Sequence, residues 1–524
     1  MDRSQSRDSI IGHLLRSTIS NYVGRFIGLV TWFALTPFVL DQLEPTFYGL
    51  WVLVGSVTSY GALLDFGIAG TITKYVAEFR AREQWEDAQH LVGTALVTYL
   101  TLGGLVVLAS LAFAPLFPRI FNVPADNQSL ARLLVILSGI GTGLAIPSNS
   151  TSAVLRGLQR FDLLNLFGII GTLLLAGATI AVLLLGGGVI GFVVTGISVN
   201  FLMLIPNIWI IHRIAPDLRF GSVGASREMF KRLTSFSSSL FMLRIGGQLE
   251  TKTDELVIGA FLPVSAVTPY NLARKLSAFP QMLTEQFLSL LLPLTSKLHA
   301  ENEMSRLRTV YMISTRLTLA IFLALGASLI FLAAPFLTVW LGEEFAQYSP
   351  LVLILSLASL IDTTTWPAGL VLQGMGLPRF SGIMSIFAGL ANLTLSLFLV
   401  RRLGLTGVAL GTLIPTAVVC IGFVLPYTMR SIGAHIHDVV DQVLIPTSIP
   451  AIPSSIAIYI LTKVVPLTSI PSVLFVGGAG LIIYVLAYLS IESNAFEREL
   501  FRNTLMNIFQ QARSYIRSTE RSNP

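Results

Sequence analysis

The sequence predicts an all-α polytopic membrane protein with about fourteen transmembrane helices, namely two parallel six-helix pseudo-repeats followed by two more helices. Three observations lead to this prediction. Of the 524 residues, 53% are hydrophobic and only 12% are charged, about half of the charged fraction of roughly 25% that soluble domains contain. Apolar runs of about 20 residues, long enough to cross a bilayer, recur along the whole chain. The short segments between these runs differ sharply in their content of basic residues.

Fourteen apolar segments meet the length requirement for a membrane span. The seventh and eighth contain charged residues, and the thirteenth opens with the prolines of "IPTSIPAIPSS", which kink or break a helix. In chain order, the predicted spans lie near residues 19–40, 48–72, 91–115, 130–155, 162–186, 188–211, 236–261, 269–295, 309–333, 350–373, 381–400, 405–427, 442–465 and 470–490.

The distribution of lysine and arginine predicts the orientation. With a cytoplasmic N-terminus, 23 of the 34 basic residues fall in cytoplasmic segments, 4 in external loops and 7 within or at the edges of spans. Because cytoplasmic loops are enriched in Lys and Arg, we expect both termini on the cytoplasmic side. The net charge of +6 then reflects loops that face anionic lipid, and we expect no nucleic-acid partner.

These spans and loops divide the chain into six segments. The 491–524 tail has apolar residues on one helical face and arginines towards the other, so we expect an amphipathic helix on the inner leaflet. The segments are a cytoplasmic or interfacial N-terminus at 1–18, an N-terminal six-helix bundle at 19–211, a basic cytoplasmic linker at 212–235, a C-terminal six-helix bundle at 236–427, a loop with two extra transmembrane helices at 428–490, and the tail at 491–524.

The two bundles resemble each other in sequence at a nearly constant spacing along the chain. Since six is an even number of spans, both halves would have the same orientation, and such parallel repeats are a transporter architecture. The matching pairs are "AVLRGLQRF" (153–161) with "LVLQGMGLPRF" (370–380), "GVIGFVVTG" (188–196) with "GLTGVALGT" (404–412), Tyr48 with Tyr270, and Arg25 with Arg244.

Three stretches carry a resemblance to a known family. The second span, "YGLWVLVGSVTSYGALLDFGIAGTITKYVAEFRA" (48–81), has an aromatic start, an L-L-D-x-G turn and a K-Y-x-A-E exit. It resembles the second span of bacterial polysaccharide-unit flippases, and "TDELVIGAFLPVSAVTPYNLARKL" (253–276) and "VLRGLQRFD" (154–162) are similar to other parts of that family. The family belongs to the superfamily that also contains multidrug and toxin extruders and lipid II flippases.

The resemblance implies a function as well as a fold. Members have two bundles around a central, V-shaped cavity and move an undecaprenyl-diphosphate-linked oligosaccharide from the cytoplasmic to the outer leaflet by alternating access. We therefore expect a location in the bacterial inner membrane, a lipid-linked oligosaccharide and membrane lipids as partners together with polysaccharide polymerase and export proteins, activity as a monomer, and no cofactor.

Basic side chains inside predicted spans are the candidates for substrate contact. An ionised side chain at the bilayer centre costs about 2.5–3.5 kcal/mol, so these groups are expected to face a cavity or a partner. Guanidinium groups bind phosphate oxygens in pairs, and an aromatic ring can pack on a sugar. The candidates for substrate binding are Arg25, Trp32, Arg244, Lys252, Arg274 and Lys275.

Acidic side chains inside the spans are candidates for ion coupling. Glu250 and Asp254 are like charges on successive turns of a helix, which raises the proton affinity of one of them. Each acid can equally balance an arginine or lock helices together, as Lys252 could with Glu255, and Asp65 lies at a glycine-flanked turn. The candidates are Asp65, Glu250, Asp254, Glu255, Glu285 and Asp362.

Motifs for catalysis and metal binding are missing from the sequence. Six scattered histidines and the single Cys420 give no zinc spacing, and neither G-x-x-x-x-G-K-[ST] nor G-x-S-x-G occurs. We therefore expect a transporter, not an enzyme such as a polymerase or ligase, which would need a long external loop. The main alternative is a cation-coupled multidrug exporter of the same fold, although four basic residues in the seventh and eighth spans favour an anionic cargo.

Overall fold

A computed structural model describes the backbone of residues 3–218, 226–235, 238–288, 290–491 and 498. This part of the chain is helical throughout and contains no β-strand. Contacts group the helices into two compact units, one formed by Met1–Leu272 with Pro378–Pro415 and the other by Ala273–Leu377 with Thr416–Pro524. The bundle boundaries expected from the sequence, at 211 and 427, stay a prediction.

The first unit contains the N-terminal helices. A 3-10 helix, Tyr60–Asp65, separates α1 from α2, and Val264–Ala266 forms another before α11. The helices are α1 Arg3–Ser59, α2 Ile68–Ala81, α3 Trp85–Phe113, α4 Phe117–Ile120, α5 Gln128–Gly157, α6 Phe161–Leu184, α7 Gly188–Leu202, α8 Leu204–Ile214, α9 Arg227–Ser235, α10 Ser238–Phe261 and the start of α11 Val267–Ser277.

The second unit begins within α11. Most of a later long helix, α16 Pro378–Val419, belongs to the first unit, and its last residues belong to the second. The other helices of the second unit are α12 Phe279–Leu288, α13 Leu291–Ala300, α14 Met304–Leu341, α15 Ser349–Gly374, α17 Leu425–Ile432, α18 Ile436–Val439, α19 Ile445–Ser448, α20 Ala451–Val464 and α21 Ile470–Ser490.

Ten segments of the described residues are long and apolar enough to cross a membrane, so the protein is a multi-pass membrane protein. Two of the ten, Val23–Ala81 with 59 residues and Pro378–Ile432 with 55, are more than twice as long as the roughly 20 residues of a usual span. Each is interrupted by a residue with non-helical dihedrals, Glu44 in α1 and Gly404 in α16. The all-α membrane fold is therefore confirmed, whereas the number of fourteen spans stays a prediction.

The predicted seventh and eighth spans are not among the ten apolar segments. The seventh is nevertheless one continuous helix, α10, of 24 residues that includes all five charged positions. The eighth is divided into α11, α12 and α13. Pro280 lies at the first of these interruptions, where it cannot donate the backbone hydrogen bond of a helix. Arg274 and Glu285, both within the predicted eighth span, therefore lie on different helices.

Helix ends repeat between the two halves of the chain. After α2, Glu83 adopts a left-handed conformation (φ 58°), and Asn302 does so after α13 (φ 56°). In both turns, the next residue donates its N–H over a 2.9 Å hydrogen bond to a carbonyl in the last turn of the helix, Gln84 to Phe79 and Glu303 to Leu298. This pattern is a Schellman C-cap, and it is formed twice at the spacing of the sequence repeat.

A second pair of caps closes α5 and α15. Gln159 (φ 58°) and Gly376 (φ 79°) occupy the left-handed region at equivalent positions of the two halves. The following N–H groups donate to Leu155 at 2.9 Å and Leu372 at 2.8 Å, respectively. The entry to α7 and the kink in α16 also match, at Gly188 (φ 55°) and Gly404 (φ 56°). The backbone therefore repeats these turns at the spacing of the four sequence matches, while the parallel orientation of the two halves stays a prediction.

The apolar core of the first unit includes part of the basic linker. Within the linker, α9 buries Met229 and Leu233 against residues of α2, α3 and α5, such as Val76, Leu91 and Leu155. The backbone N–H of Ser226 donates to Thr94 Oγ1 at 3.0 Å. The linker prediction at 212–235 thus includes a helix that packs on the first unit. Residues 219–225 of the linker and nearly all of the predicted amphipathic tail lie outside the described residues.

Candidate functional site

The main polar cluster of the first unit lies along α10. Its polar side chains contact the end of α1, the 3-10 helix Tyr60–Asp65, α11 and α16. Gln248 donates to Ser59 Oγ at 2.6 Å, and the hydroxyls of Tyr60 and Thr253 are 3.1 Å apart. Polar side chains of α10 thus have hydrogen-bond partners on other helices of this unit, which helps to explain how so polar a helix exists in an apolar bundle.

Asp65 forms contacts with three helices, α2, α3 and α10. It ends the 3-10 helix, and the left-handed Phe66 and Gly67 that follow turn the chain into α2. Asp65 Oδ1 accepts the backbone N–H of Ala69 at 3.3 Å, which caps the start of α2. The same oxygen accepts the hydroxyl of Tyr99 from α3. Asp65 therefore has the structural role at a turn that the sequence left open beside ion coupling.

Arg244 forms an ion pair with Asp65. Its Nη1 lies 2.5 Å from Asp65 Oδ2, and the side chains are 48% and 7% exposed, respectively. The carboxylate is thus buried, whereas half of the guanidinium side chain remains accessible. A guanidinium group has five N–H donors, so one contact to Asp65 fixes Arg244 and leaves donors with the geometry that binds phosphate oxygens.

Asp254, one of the coupling candidates, is fully buried (0% exposed) near the other end of α10. Its Oδ2 accepts the Tyr270 hydroxyl from α11 at 2.7 Å and the Thr412 hydroxyl from α16 at 2.8 Å. Asn392, also on α16, donates to Thr412 Oγ1 at 3.0 Å. The neighbouring Glu255 accepts a hydrogen bond from Asn271 at 3.1 Å. These two acids therefore tie α10 to α11 and α16.

Small residues allow α10 to approach its neighbours closely. A Cβ at Gly246 would overlap the Ser385 side chain, and one at Gly259 would lie 2.6 Å from a methyl group of Leu53. Near the end of α10, Asn122 donates its backbone N–H to the carbonyl of Gly259 at 2.9 Å. Backbone contact of this closeness holds the polar side chains of α10 in place.

The second unit contains a separate polar cluster around Asp362, on α15. Asp362 Oδ2 accepts two N–H donors, Gln281 Nε2 from α12 at 2.9 Å and Trp366 Nε1 from the next turn of α15 at 3.1 Å. Arg274 of α11 attracts the same carboxylate electrostatically. All four side chains are half-buried. The predicted candidates Arg274 and Asp362 are therefore brought together.

The remaining predicted site residues lie on the same helices, and their roles stay predictions. On α1, Arg25 is exposed and Trp32 half-buried, about two helical turns apart. Lys252 and Glu250 of α10 and Lys275 of α11 are half-buried, and Glu285 of α12 is exposed. The proposed Lys252–Glu255 pair likewise stays a prediction.

Sequence reasoning missed several polar partners in these clusters. Tyr99, Tyr270 and Thr412 donate hydrogen bonds to the predicted carboxylates. Tyr270 and Thr412 stood out only as positions in the sequence repeat, and Tyr99 is a single polar group in an apolar span. Trp366 had a signal: "DTTTW" (362–366) is a run of polar residues followed by an indole in the middle of the tenth predicted span. Such a run is unusual in a segment that would otherwise face lipid.

Comparison with known proteins assigns the chain to a family. Residues 43–350 match the family described as polysaccharide biosynthesis protein. The probable low-salt glycan biosynthesis flippase Agl15 of Haloferax volcanii is 23% identical over 415 residues, which cover 77% of this chain and 81% of that protein. The uncharacterized membrane protein EpsK of Bacillus subtilis is 23% identical over 432 residues, which cover 79% and 83%.

Solved structures with similar folds come from two kinds of transporter. The lipid II flippase MurJ in an inward closed conformation has a TM-score of 0.72 and 15% identity, and the match covers 93% of this chain and 100% of MurJ. An inward-facing multidrug resistance MATE family transporter of the MOP superfamily has a TM-score of 0.68 and 17% identity, with 77% and 94% covered. These likenesses establish the fold, and the match over residues 43–350 establishes that the chain belongs to the family of polysaccharide biosynthesis proteins.

Proposed function

We propose that this protein is a flippase that moves an undecaprenyl-diphosphate-linked oligosaccharide from the cytoplasmic to the outer leaflet for polysaccharide biosynthesis. The proposal is supported by the family, by the flippase named among its relatives, and by the fold shared with a lipid II flippase. No covalent bond of the cargo changes in this process. The protein contributes binding groups and conformational change, as in other secondary transporters.

The observation that supports this function best is the half-exposed Arg244 beside the buried Asp65. A cation inside an apolar helical bundle is costly unless it is paired or used. Here the pair with Asp65 leaves 48% of the Arg244 side chain exposed, so the guanidinium group is fixed in position and still accessible. This arrangement suits a diphosphate, which presents several negatively charged oxygens to bidentate donors.

A leaflet-specific assay of the lipid-linked oligosaccharide tests the proposal. Depletion of the protein should leave the glycolipid in the cytoplasmic leaflet, and complementation with the Arg244→Gln chain should restore far less outward movement than the Arg244→Lys chain, which keeps the positive charge. The exposed Arg213 provides a matched control, because it lies on α8 over the ring of Trp209. An unchanged leaflet distribution with new drug sensitivity would instead establish the multidrug exporter.

We further propose Asp254 as the first coupling group to examine. It is fully buried, and two hydroxyl donors from two helices meet at one of its oxygens, so loss or gain of a cation would alter contacts among α10, α11 and α16. The Asp254→Asn side chain keeps nearly the same shape. If this variant remains stable and loses flipping, coupling is supported; unchanged flipping would show that Asp254 only holds the helices.

A further inference from the structure

We propose that the second unit contains a saccharide-binding site, formed by Trp366, Asp362 and Gln281, that binds the hydroxyl groups of the glycan. This inference rests on the proposed function and deepens it, because it assigns the sugar part of the cargo to residues other than the arginines. The site consists of one aromatic ring, one carboxylate and one amide on α12 and α15.

Two hydrogen bonds to a single oxygen of Asp362 hold its carboxylate in a fixed orientation. Oδ2 accepts both Gln281 Nε2 and Trp366 Nε1, whereas no hydrogen-bond donor among the described residues reaches Oδ1. Two N–H donors from two helices restrict the rotation of the carboxyl group. Oδ1 is therefore a pre-oriented acceptor, and preorganised acceptors lose less entropy when they bind a hydroxyl group.

The ring of Trp366 adds an aromatic surface beside this acceptor. Trp366 lies one turn after Asp362, and a helical side chain extends over the turn that precedes it, so the indole runs along α15 towards the carboxylate. The side chain is half-buried, and within the described part of the chain no aromatic ring or cation stacks on it. An accessible indole next to a hydroxyl acceptor matches a sugar, which has an apolar C–H face and polar edges.

The position of the cluster along α15 agrees with a transport site. Asp362 lies halfway along this helix, which extends from Ser349 to Gly374. With a rise of about 1.5 Å per residue, the carboxylate is about 20 Å into the span, near the middle of a bilayer core of about 30 Å. Transporters bind their cargo near the midplane. The neighbouring Arg274 attracts the carboxylate electrostatically at this depth.

The glycan dependence of binding tests the site. The purified full-length chain in lipid nanodiscs is titrated with undecaprenyl diphosphate carrying one N-acetylglucosamine, and separately with undecaprenyl diphosphate alone, and bound lipid is counted by native mass spectrometry. In the Trp366→Ala chain we expect affinity for the glycosylated lipid to fall about ten-fold, the loss of roughly one good polar or stacking contact. Affinity for the bare diphosphate lipid should change by less than roughly two-fold.

Two further variants make the result specific. Trp366→Phe keeps an aromatic face and loses the N–H donor to Asp362, so its effect should be smaller than that of Trp366→Ala but in the same direction. Trp209→Ala removes an exposed indole from α8 and should change neither affinity. If the Trp366 variants weaken both lipids equally, or neither, the saccharide site is wrong while the flippase proposal stands. If the unaltered chain binds neither lipid, the flippase proposal fails as well, and the site with it.

Discussion

Asp65 serves three purposes with one side chain. Its carboxylate caps α2, accepts the Tyr99 hydroxyl from α3 and pairs with Arg244 of α10. Nearly all of this carboxylate is buried, so removal of Arg244 leaves its negative charge without a countercharge, and an ordinary buried group left unsatisfied costs about 1–3 kcal/mol. A residue that lies just before the first turn of one helix thus fixes the position of another helix much later in the chain.

The free energy of unfolding should show coupling between Asp65 and Arg244. Arg244→Gln alone should lower it by about 1–3 kcal/mol, a modest range because water screens the exposed half of the guanidinium group. The double variant Asp65→Asn/Arg244→Gln should lose less than the two single losses added together, with a coupling energy of about 0.5–3 kcal/mol. Unfolding in mixed detergent micelles gives these values.

Strict additivity of the two substitutions would contradict the ion pair. The Arg213→Gln chain is the control, since the exposed Arg213 lies over the ring of the equally exposed Trp209. Replacement of Arg213 by glutamine should change the free energy of unfolding by less than about 0.5 kcal/mol.

At the scale of the element, α10 is a helix that could not be stable in the membrane by itself. Its five charged positions would be costly against lipid, and the helix exists because its polar groups meet partners from α1, α11 and α16. Gly246 and Gly259 bring the backbone close enough for these short bonds. The sequence predicted this segment as the seventh span in spite of its charges, and the contacts of Arg244, Asp254 and Glu255 show how three of those charges are accommodated.

Adjacent glycines in α10 provide a matched pair of substitutions. A Cβ at Gly246 would overlap Ser385 Oγ and lie 2.6 Å from the Ser385 carbonyl carbon, whereas a Cβ at Gly247 would meet no atom within 4 Å. Gly246→Ala should therefore destabilise the protein by about 1–3 kcal/mol through overpacking. Gly247→Ala should be neutral or stabilise it by up to about 1 kcal/mol, because alanine favours helix over glycine.

The thermal unfolding midpoint in detergent distinguishes the two glycine variants. Equal midpoints for Gly246→Ala and Gly247→Ala would show that the close approach of α10 to Ser385 contributes nothing to stability. A fall in flipping that accompanies the fall in stability of Gly246→Ala, and is absent from Gly247→Ala, would also connect the packing of α10 to transport.

At the scale of the whole molecule, the same architecture occurs twice. The Schellman caps after α2 and α13, and those after α5 and α15, place equivalent turns at nearly the same spacing along the chain. Each cap needs a left-handed residue, and Gly is used only once among the four, with Glu, Gln and Asn at the others. The backbone therefore preserves the repeat where the side chains have diverged, which is why the sequence matches are short.

The orientation of the whole chain in the membrane is predicted from its basic loops. After Cys420→Ala removes the single cysteine, Asp126→Cys should react with a membrane-impermeant maleimide added outside intact cells. Glu301→Cys, in the turn after α13, should react only after permeabilisation. Both positions are exposed, so access depends on membrane side and not on burial. Labelling in the opposite pattern would reverse the predicted topology.

The membrane class, the helical fold, the apolar spans and the repeat could all be predicted from the sequence. These features depend on local properties of the sequence, namely the length of its apolar segments and the charge of its loops. The sequence also identified Asp65, Arg244, Asp254 and Asp362 as unusual, because a charge in an apolar run is conspicuous without any neighbour.

The contacts of those charged side chains depend on how the helices pack. Arg244, Thr412 and Gln281 lie 179, 158 and 81 residues from the carboxylates that they contact. Nothing in the sequence pairs a particular donor with a particular carboxylate over such separations. Packing also divided the eighth predicted span into three helices, where Pro280 removes a backbone donor. Pairwise contacts among helices depend on three-dimensional packing, and no periodicity in the sequence encodes them.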